Sequence, residues 1–271
     1  EMSDITNSKK DGKSLTKRMK VVATKSLLKY NEHTLLTDKY ELGLLPNGNF
    51  HFRGHLGTDR VTVTRRGERL EIKATSIHDK MLHPLINFKG LQGGRYSVDF
   101  SGVLGENMKG TILLDGGLMR DFEAYNNLLA FINTLPALAT FHSPGFNNKG
   151  FKIKQGVVKF SMIKGEKLFF DSVLIEGDSA TISGDGVVDL KTKDIDVDLA
   201  IQTAKPMGKL ISSLPIVGYI LTGKNRSIMT VGLHIGGTLD KPKSKISPIK
   251  DVLMLPFKML ERTFKGKEQG K

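Results

Sequence analysis

The sequence predicts a mainly β protein built on an antiparallel sheet, with a few short helices. Three observations carry this. Apolar and polar residues alternate with a period of two in one segment after another. Glycine is abundant, at 29 residues against 9 prolines, which suits short strands joined by tight turns. Between residues 150 and 203 no gap between strand-like runs is long enough for a crossover helix, so neighbouring strands there form an antiparallel meander.

Residues 1–20 are polar and lysine-rich and read as a linker or frayed end. From 20 to 60 the pattern is mixed, with turn signals at PNGN (46–49), Gly54 and Gly57. RVTVT (60–64) then puts Val61 and Val63 on one face. RLEIKA (69–74) puts Leu70 and Ile72 on one face and Glu71 and Lys73 on the other, and RRGE between them is a hairpin signal. YSVDF (96–100) and GTILLD (110–115) alternate in the same way.

The period changes at DFEAYNNLLAFINTL (121–135). Phe122, Tyr125, Leu129, Ile132 and Leu135 fall at helical spacing, with Asp121 as cap and Pro136 as stop. Strands resume with FKIKQ, VVKFSMI, KLFFDSVLIEG, ATISGDGVVDL and DIDVDLAIQT, joined by turns rich in Gly or Asp. A helical or loop interruption covers 205–223. MTVGLHIGGTL (229–239) then puts Val231, Leu233 and Ile235 on one face. The last element, IKDVLMLPFKMLERTF (249–264), reads as a basic amphipathic helix. Ser247 caps it, Pro248 suits its first position and Pro256 kinks it.

Composition narrows the function classes. The net charge is +13, so the chain is drawn to anions: nucleic acid, anionic headgroups or acidic partners. Both ends are basic. Residues 1–30 hold eight Lys and Arg against three acids, and residues 241–271 hold nine against three. The absence of cysteine excludes a disulfide framework and a thiolate metal site. The longest apolar stretch, LISSLPIVGYILTG (210–223), is too short to span a bilayer and contains Pro215. The opening EMSDITNSKK reads as the interior of a longer protein whose targeting and anchoring sequence lies upstream.

No catalytic or metal constellation stands out, and no cofactor is expected. Asp194, Asp196 and Asp198 share one strand face and read as a solvated surface, since Ca²⁺ sites draw their carboxylates from a sharply turned loop. His51 and His55 sit in FHFRGHLG, where glycine and strand-like alternation argue against a helical zinc pair. GDGVVD (184–189) lacks the third glycine and following helix of a phosphate loop. With no Trp and 5 Tyr, stacking platforms for nucleic acid are few. The apolar strand faces leave two possibilities open. They pack shut in a sandwich or barrel, or they stay uncovered and take an apolar ligand such as an acyl chain.

The segment from Leu128 to Gly223 resembles the C-terminal region of the AsmA-like proteins, especially the YhdP group. The resemblance lies in NLLAFINTLPAL, then GFKIKQGVVKFSMIKGEKLFFDSVLIEGDSATISGDGVVDL, then IDVDLAIQTAKPMGKLISSLPIVGYILTG, in that order. The chain departs from the pattern in its long basic tail after Gly237. The resemblance implies an elongated β-groove protein of the Gram-negative periplasm. It would be anchored in the inner membrane by an N-terminal helix that this chain lacks, and would carry phospholipid between membranes along an apolar groove without catalysis.

The expected fold is therefore a curved antiparallel sheet forming an open β-groove. Residues 21–120 would be its N-terminal part, 121–247 its AsmA-like C-terminal part including helix 121–135, and 248–271 a basic helix and tail. Groove-lining candidates are Val158, Phe160, Met162, Ile195, Val197, Leu199, Ile201, Val231, Leu233 and Ile235. Membrane-contact candidates are Leu214, Ile216, Val217, Tyr219, Ile220, Leu253, Phe257 and Leu260. Expected partners are phospholipid, the inner or outer membrane surface and envelope proteins, but not nucleic acid. The rival from another class is a non-transporting structural or assembly protein of the outer membrane with a closed β core.

Overall fold

Period-two alternation becomes a row of hydrogen-bonded strands. The computed structural model describes residues 18–30, 33–79, 90–120, 146–147, 150–178, 180–203, 220–222 and 229–247. In chain order the strands are β1 (Met19–Tyr30), β2 (His33–Leu44), β3 (Phe50–Leu56), β4 (Asp59–Arg66), β5 (Arg69–His78), β6 (Leu91–Gln92), β7 (Arg95–Val103), β8 (Asn107–Asp115) and β9 (Leu118–Met119). They continue as β10 (Phe146–Asn147), β11 (Gly150–Ile163), β12 (Lys167–Gly177), β13 (Ala180–Asp189), β14 (Ile195–Thr203), β15 (Ile220–Thr222), β16 (Met229–Thr238) and β17 (Lys241–Ser247).

All pairings are antiparallel. The long strands lie in the order β1-β2-β3-β4-β5-β7-β8-β11-β12-β13-β14-β16-β17. The short strands extend this sheet locally: β9 and β10 flank the start of β11, β6 pairs with β9, and β15 takes the stretch of β16 beyond β17. Among the described residues β1 and β17 pair with other strands but not with each other, so the sheet is open rather than a barrel. The strands form one sheet, not two stacked ones. The closed sandwich or barrel that alternation alone also allowed is thereby set aside.

Several boundaries differ from the sequence reading. The mixed pattern of 20–60 resolves into β1, β2 and β3, and the basic stretch after Gly237 begins as β17. FKIKQ and VVKFSMI are one strand, β11, interrupted by a bulge at Lys154. The helices expected at 121–135 and 249–264 lie outside the described residues, as does the interruption at 205–223 apart from β15. Among the described residues there is no long helix, and none is long and apolar enough to cross a membrane.

The two ends of the strands differ. At one rim every connection is short: 45–49, 67–68, 104–106, 164–166, 190–194 and 239–240. The long connections, from β5 to β7, β8 to β11 and β14 to β16, all leave from the opposite rim. Much of the buried cluster lies toward that second rim, with Ile77, Tyr96, Leu114, Phe151, Ile153, Ala180, Ile182 and Ile201. An ionic brace stands there too. Asp59, 2% exposed, accepts from the backbone N–H of His78 at 3.0 Å. It also lies 2.7 Å from His78 Nδ1 and 3.5 Å from Arg95 Nη1, tying β4 to β5 and β7.

Candidate functional site

Successive strand residues point to opposite faces, so the register assigns every side chain to a side. One row of partners crosses the sheet from edge to edge. It runs Val21, Leu42, Phe52, Val63, Ile72, Phe100, Gly110, Phe160, Phe170, Gly186, Val197, Ile235 and Ser244. No member is charged, and only the last, on the edge strand, is polar. At about 4.8 Å per strand the row is roughly 58 Å long, about twice the ~30 Å hydrocarbon core of a bilayer. Parallel rows repeat the composition: Val61, Ala74, Val98, Ile112, Val158, Val173, Gly184, Leu199 and Leu233 also follow one another.

Bulges keep this face apolar where simple alternation would fail. Ala74 and Ile77 are three residues apart yet pair with Val98 and Tyr96, because the β5 register shifts between them, where Ser76 has φ 53°. Phe170 and Val173 on β12 behave likewise, as do Ile153 and Gly156 on β11.

Glycines on the same face are covered by their neighbours. A Cβ at Gly184 would fall 2.8 Å from Leu199 Cδ2, and one at Gly186 would fall 2.7 Å from Val197 Cγ2. The Phe160 ring occupies the place a side chain would take at Gly110, and stacks on Phe100 with centroids 5.3 Å apart. Small residues at these points let large side chains lie flat along the sheet rather than stand up from it.

All ten groove candidates fall on this one face. Val158↔Val173, Phe160↔Phe170 and Met162↔Leu168 link β11 to β12, and the pairings continue through β13 to Ile195, Val197, Leu199 and Ile201. Those last three pair with Ile235, Leu233 and Val231. Accessibility divides them. Val158, Phe160, Met162, Ile195 and Leu199 are half-buried, whereas Val197, Ile201, Leu233 and Ile235 are buried, Leu233 to 2% exposure. Of the membrane-contact candidates, Ile220 belongs to β15 and pairs with Val231. Leu214, Ile216, Val217, Tyr219, Leu253, Phe257 and Leu260 lie outside the described residues.

Sequence reasoning assigned 21–120 to the sheet and read alternation in 60–64, 69–74 and 96–100, but named no groove-lining candidate on β1 to β8, where Tyr40, Leu42, Phe52, Val98 and Phe100 share the face. The aromatic pair Tyr40 and Phe52, 5.9 Å apart, belongs to it. Alternation in LTDKYELGL (36–44) and FHFRGHL (50–56) was the available signal.

The opposite face is mostly polar, with Val22, Val103, Leu113, Val157, Ile163, Phe169, Leu174 and Val187 among the apolar exceptions. Salt bridges dress it: Glu41 with Lys20 and Lys39, and Glu71 with Lys73. Hydrogen bonds from the lysines, reinforced by their charge, lower both glutamate pKa values. The aspartates flagged in DIDVDL lie on this side as well. Asp196 is exposed and Asp198 half-buried, and His234 Nδ1 sits 3.7 Å and 3.1 Å from their carboxylates. These three could in principle hold a metal, and His234 Nδ1 lies within hydrogen-bond distance of Asp198 Oδ1. His51 is 2.9 Å from Thr64 Oγ1, on the same face of β3 as His55.

A sequence model of the family described as YhdP protein matches residues 35–244 of the chain. No curated protein and no solved structure matches.

Proposed function

The chain belongs to the YhdP family, a non-catalytic, envelope-associated family, and from that premise we propose that its apolar face holds phospholipid acyl chains and conducts them between the inner and outer membranes. The observation that carries this reading is the uncharged row from Val21 to Ser244 in an open sheet. Burying a methylene is worth roughly 0.8 kcal/mol, so an acyl chain of about 16 carbons has on the order of 12 kcal/mol of transfer energy holding it out of water. A continuous apolar strip lowers that barrier by offering a surface like the bilayer interior. The half-buried part of the row, from Val21 to Gly186, is itself longer than one acyl chain, so a lipid can move along it with its tail on apolar surface, while Val197 and Ile235 beyond it are buried. No reacting group is required.

The half-buried residues Val158, Phe160, Met162, Ile195 and Leu199 are where an acyl chain gains contact without displacing the packed core. The buried members, Leu233 and Ile235 among them, form the floor that holds the strip in shape.

The test is a lipid extract of the purified chain, followed by transfer of fluorescent phospholipid from donor to acceptor vesicles. Co-purifying phospholipid in reproducible stoichiometry, and transfer that is lost in Phe160→Asp, are expected. A stable, folded chain that carries no lipid and moves none would end this reading.

A further inference from the structure

Building on that reading, we infer that the rim of short hairpins is the track along which the lipid phosphate travels while the acyl chains lie on the apolar face. A phospholipid is an apolar chain joined to an anion. The uncharged row along the middle of the face cannot take the anion, so the phosphate has to leave the sheet toward one of its two rims.

The short-turn rim is built as a fixed ladder. Each hairpin donates a backbone N–H to the previous one: Leu104 to Glu68 at 2.8 Å, Lys164 to Glu106 at 2.6 Å, Leu190 to Glu166 at 2.7 Å and Leu239 to Lys193 at 2.9 Å. The turns therefore repeat every two strands, about 9.5 Å apart. They also place unlike side chains together. Leu104, Ile163, Leu190 and Leu239 are large hydrophobics left 38–47% exposed at or beside these turns. Exposed lysines adjoin two of them, as Leu190-Lys191 and as Ile163-Lys164, the latter with Ile163 on the polar side of β11 by register. Turns 65–69, 163–167 and 190–194 each carry more Lys and Arg than Asp and Glu, whereas 104–106 and 239–240 carry one acid each, Glu106 and Asp240.

An exposed aliphatic group beside an ammonium group matches the junction of an acyl chain with its phosphate. Lys193 is already engaged by Asp240 at 2.8 Å, which leaves the main role to Lys164, Lys167 and Lys191. Exposed ammonium–phosphate contacts are individually weak and short-lived, which favours passage from turn to turn over capture.

The experiment uses two photoactivatable phosphatidylglycerols in phosphatidylcholine vesicles, one with its diazirine on the headgroup and one with it at the acyl terminus. Each is crosslinked to the full chain and mapped by mass spectrometry. The headgroup probe should label 163–167 and 190–193, and the acyl probe the strand interior around Phe160. Replacing Lys164, Lys167 and Lys191 together by Gln should cut headgroup labelling several-fold and leave acyl labelling in place. Headgroup labelling at the opposite rim, or labelling unchanged in the triple variant, overturns the track while acyl labelling still upholds the proposed function. Loss of rim labelling to competing inorganic phosphate, with acyl labelling intact, reduces the rim to a simple anion site and overturns the track as well. Absence of both labels sinks the proposed function and the track together.

Discussion

The ring of Phe160 on β11 lies across Gly110 on β8, so closely that no Cβ fits between them. Replacing a strand glycine by alanine usually helps, because glycine weakens a strand. Here the sign is reversed. Gly110→Ala should destabilise by about 1–3 kcal/mol, the usual range for overpacking. The check is a urea midpoint in two backgrounds: the penalty should shrink once Phe160→Ala has vacated the space.

Accessibility separates residues that touch cargo from residues that hold the sheet. Met162 is half-buried and Leu233 is buried. Met162→Asp should fold, keep its circular dichroism spectrum and lose bound lipid. Leu233→Ala should cost about 2–5 kcal/mol, as buried Leu-to-Ala changes do, and Leu233→Asp should fail to fold. Equal behaviour of the two aspartate variants would contradict the division.

Tyr96 gives an alkaline signature. Its side chain is 1% exposed, and burial, helped by the charge of Asp79, pushes the phenol up to about 12. The unfolded chain ionises it near the ordinary value of about 10. Between those values the unfolded state binds fewer protons than the folded one, so stability falls as pH rises from about 10 to 12. Tyr96→Phe should remove that part of the slope. It should cost little at neutral pH, since among the described residues the hydroxyl has at most a weak contact with the Gly94 backbone. Chemical denaturation at pH 7, 10 and 11 measures both.

Asp59 braces three strands from a buried position. Asp59→Ala should cost about 1.5–3 kcal/mol, the range for hydrogen bonds to a charged group. Amide exchange should rise first at 76–78 and 95–97, where the brace meets β5 and β7. Uniform exchange across the sheet would show that the brace is not local.

How much of this was readable beforehand can be traced through particular residues. Val61, Val63, Leu70 and Ile72 were placed on shared faces because ideal alternation survives there. The row Ile195, Val197, Leu199 and Ile201 was found for the same reason, with Asp194, Asp196 and Asp198 marking the wet side. Alternation misleads at a bulge. In RLEIKATSI (69–77) it sends Ser76 inward, whereas the shifted register sends Ile77. It also gives little help where a face is partly glycine. Gly110, Gly184 and Gly186 have no side chain to count, yet they lie in the apolar rows because neighbouring side chains cover them.

The sequence by itself determined that this is an antiparallel β protein of the YhdP kind, and which side of each regular strand is apolar. Both are local properties, set by the two-residue period of an extended backbone and by short turns. Tertiary structure decided whether those apolar sides join. Strand order and register are long-range choices, and a shift of one residue would turn a strand's apolar set to the other face. Only the assembled sheet aligns Val21 with Ser244 across thirteen strands, leaves its edges unpaired with each other among the described residues, and gathers the lysine-bearing turns on one rim.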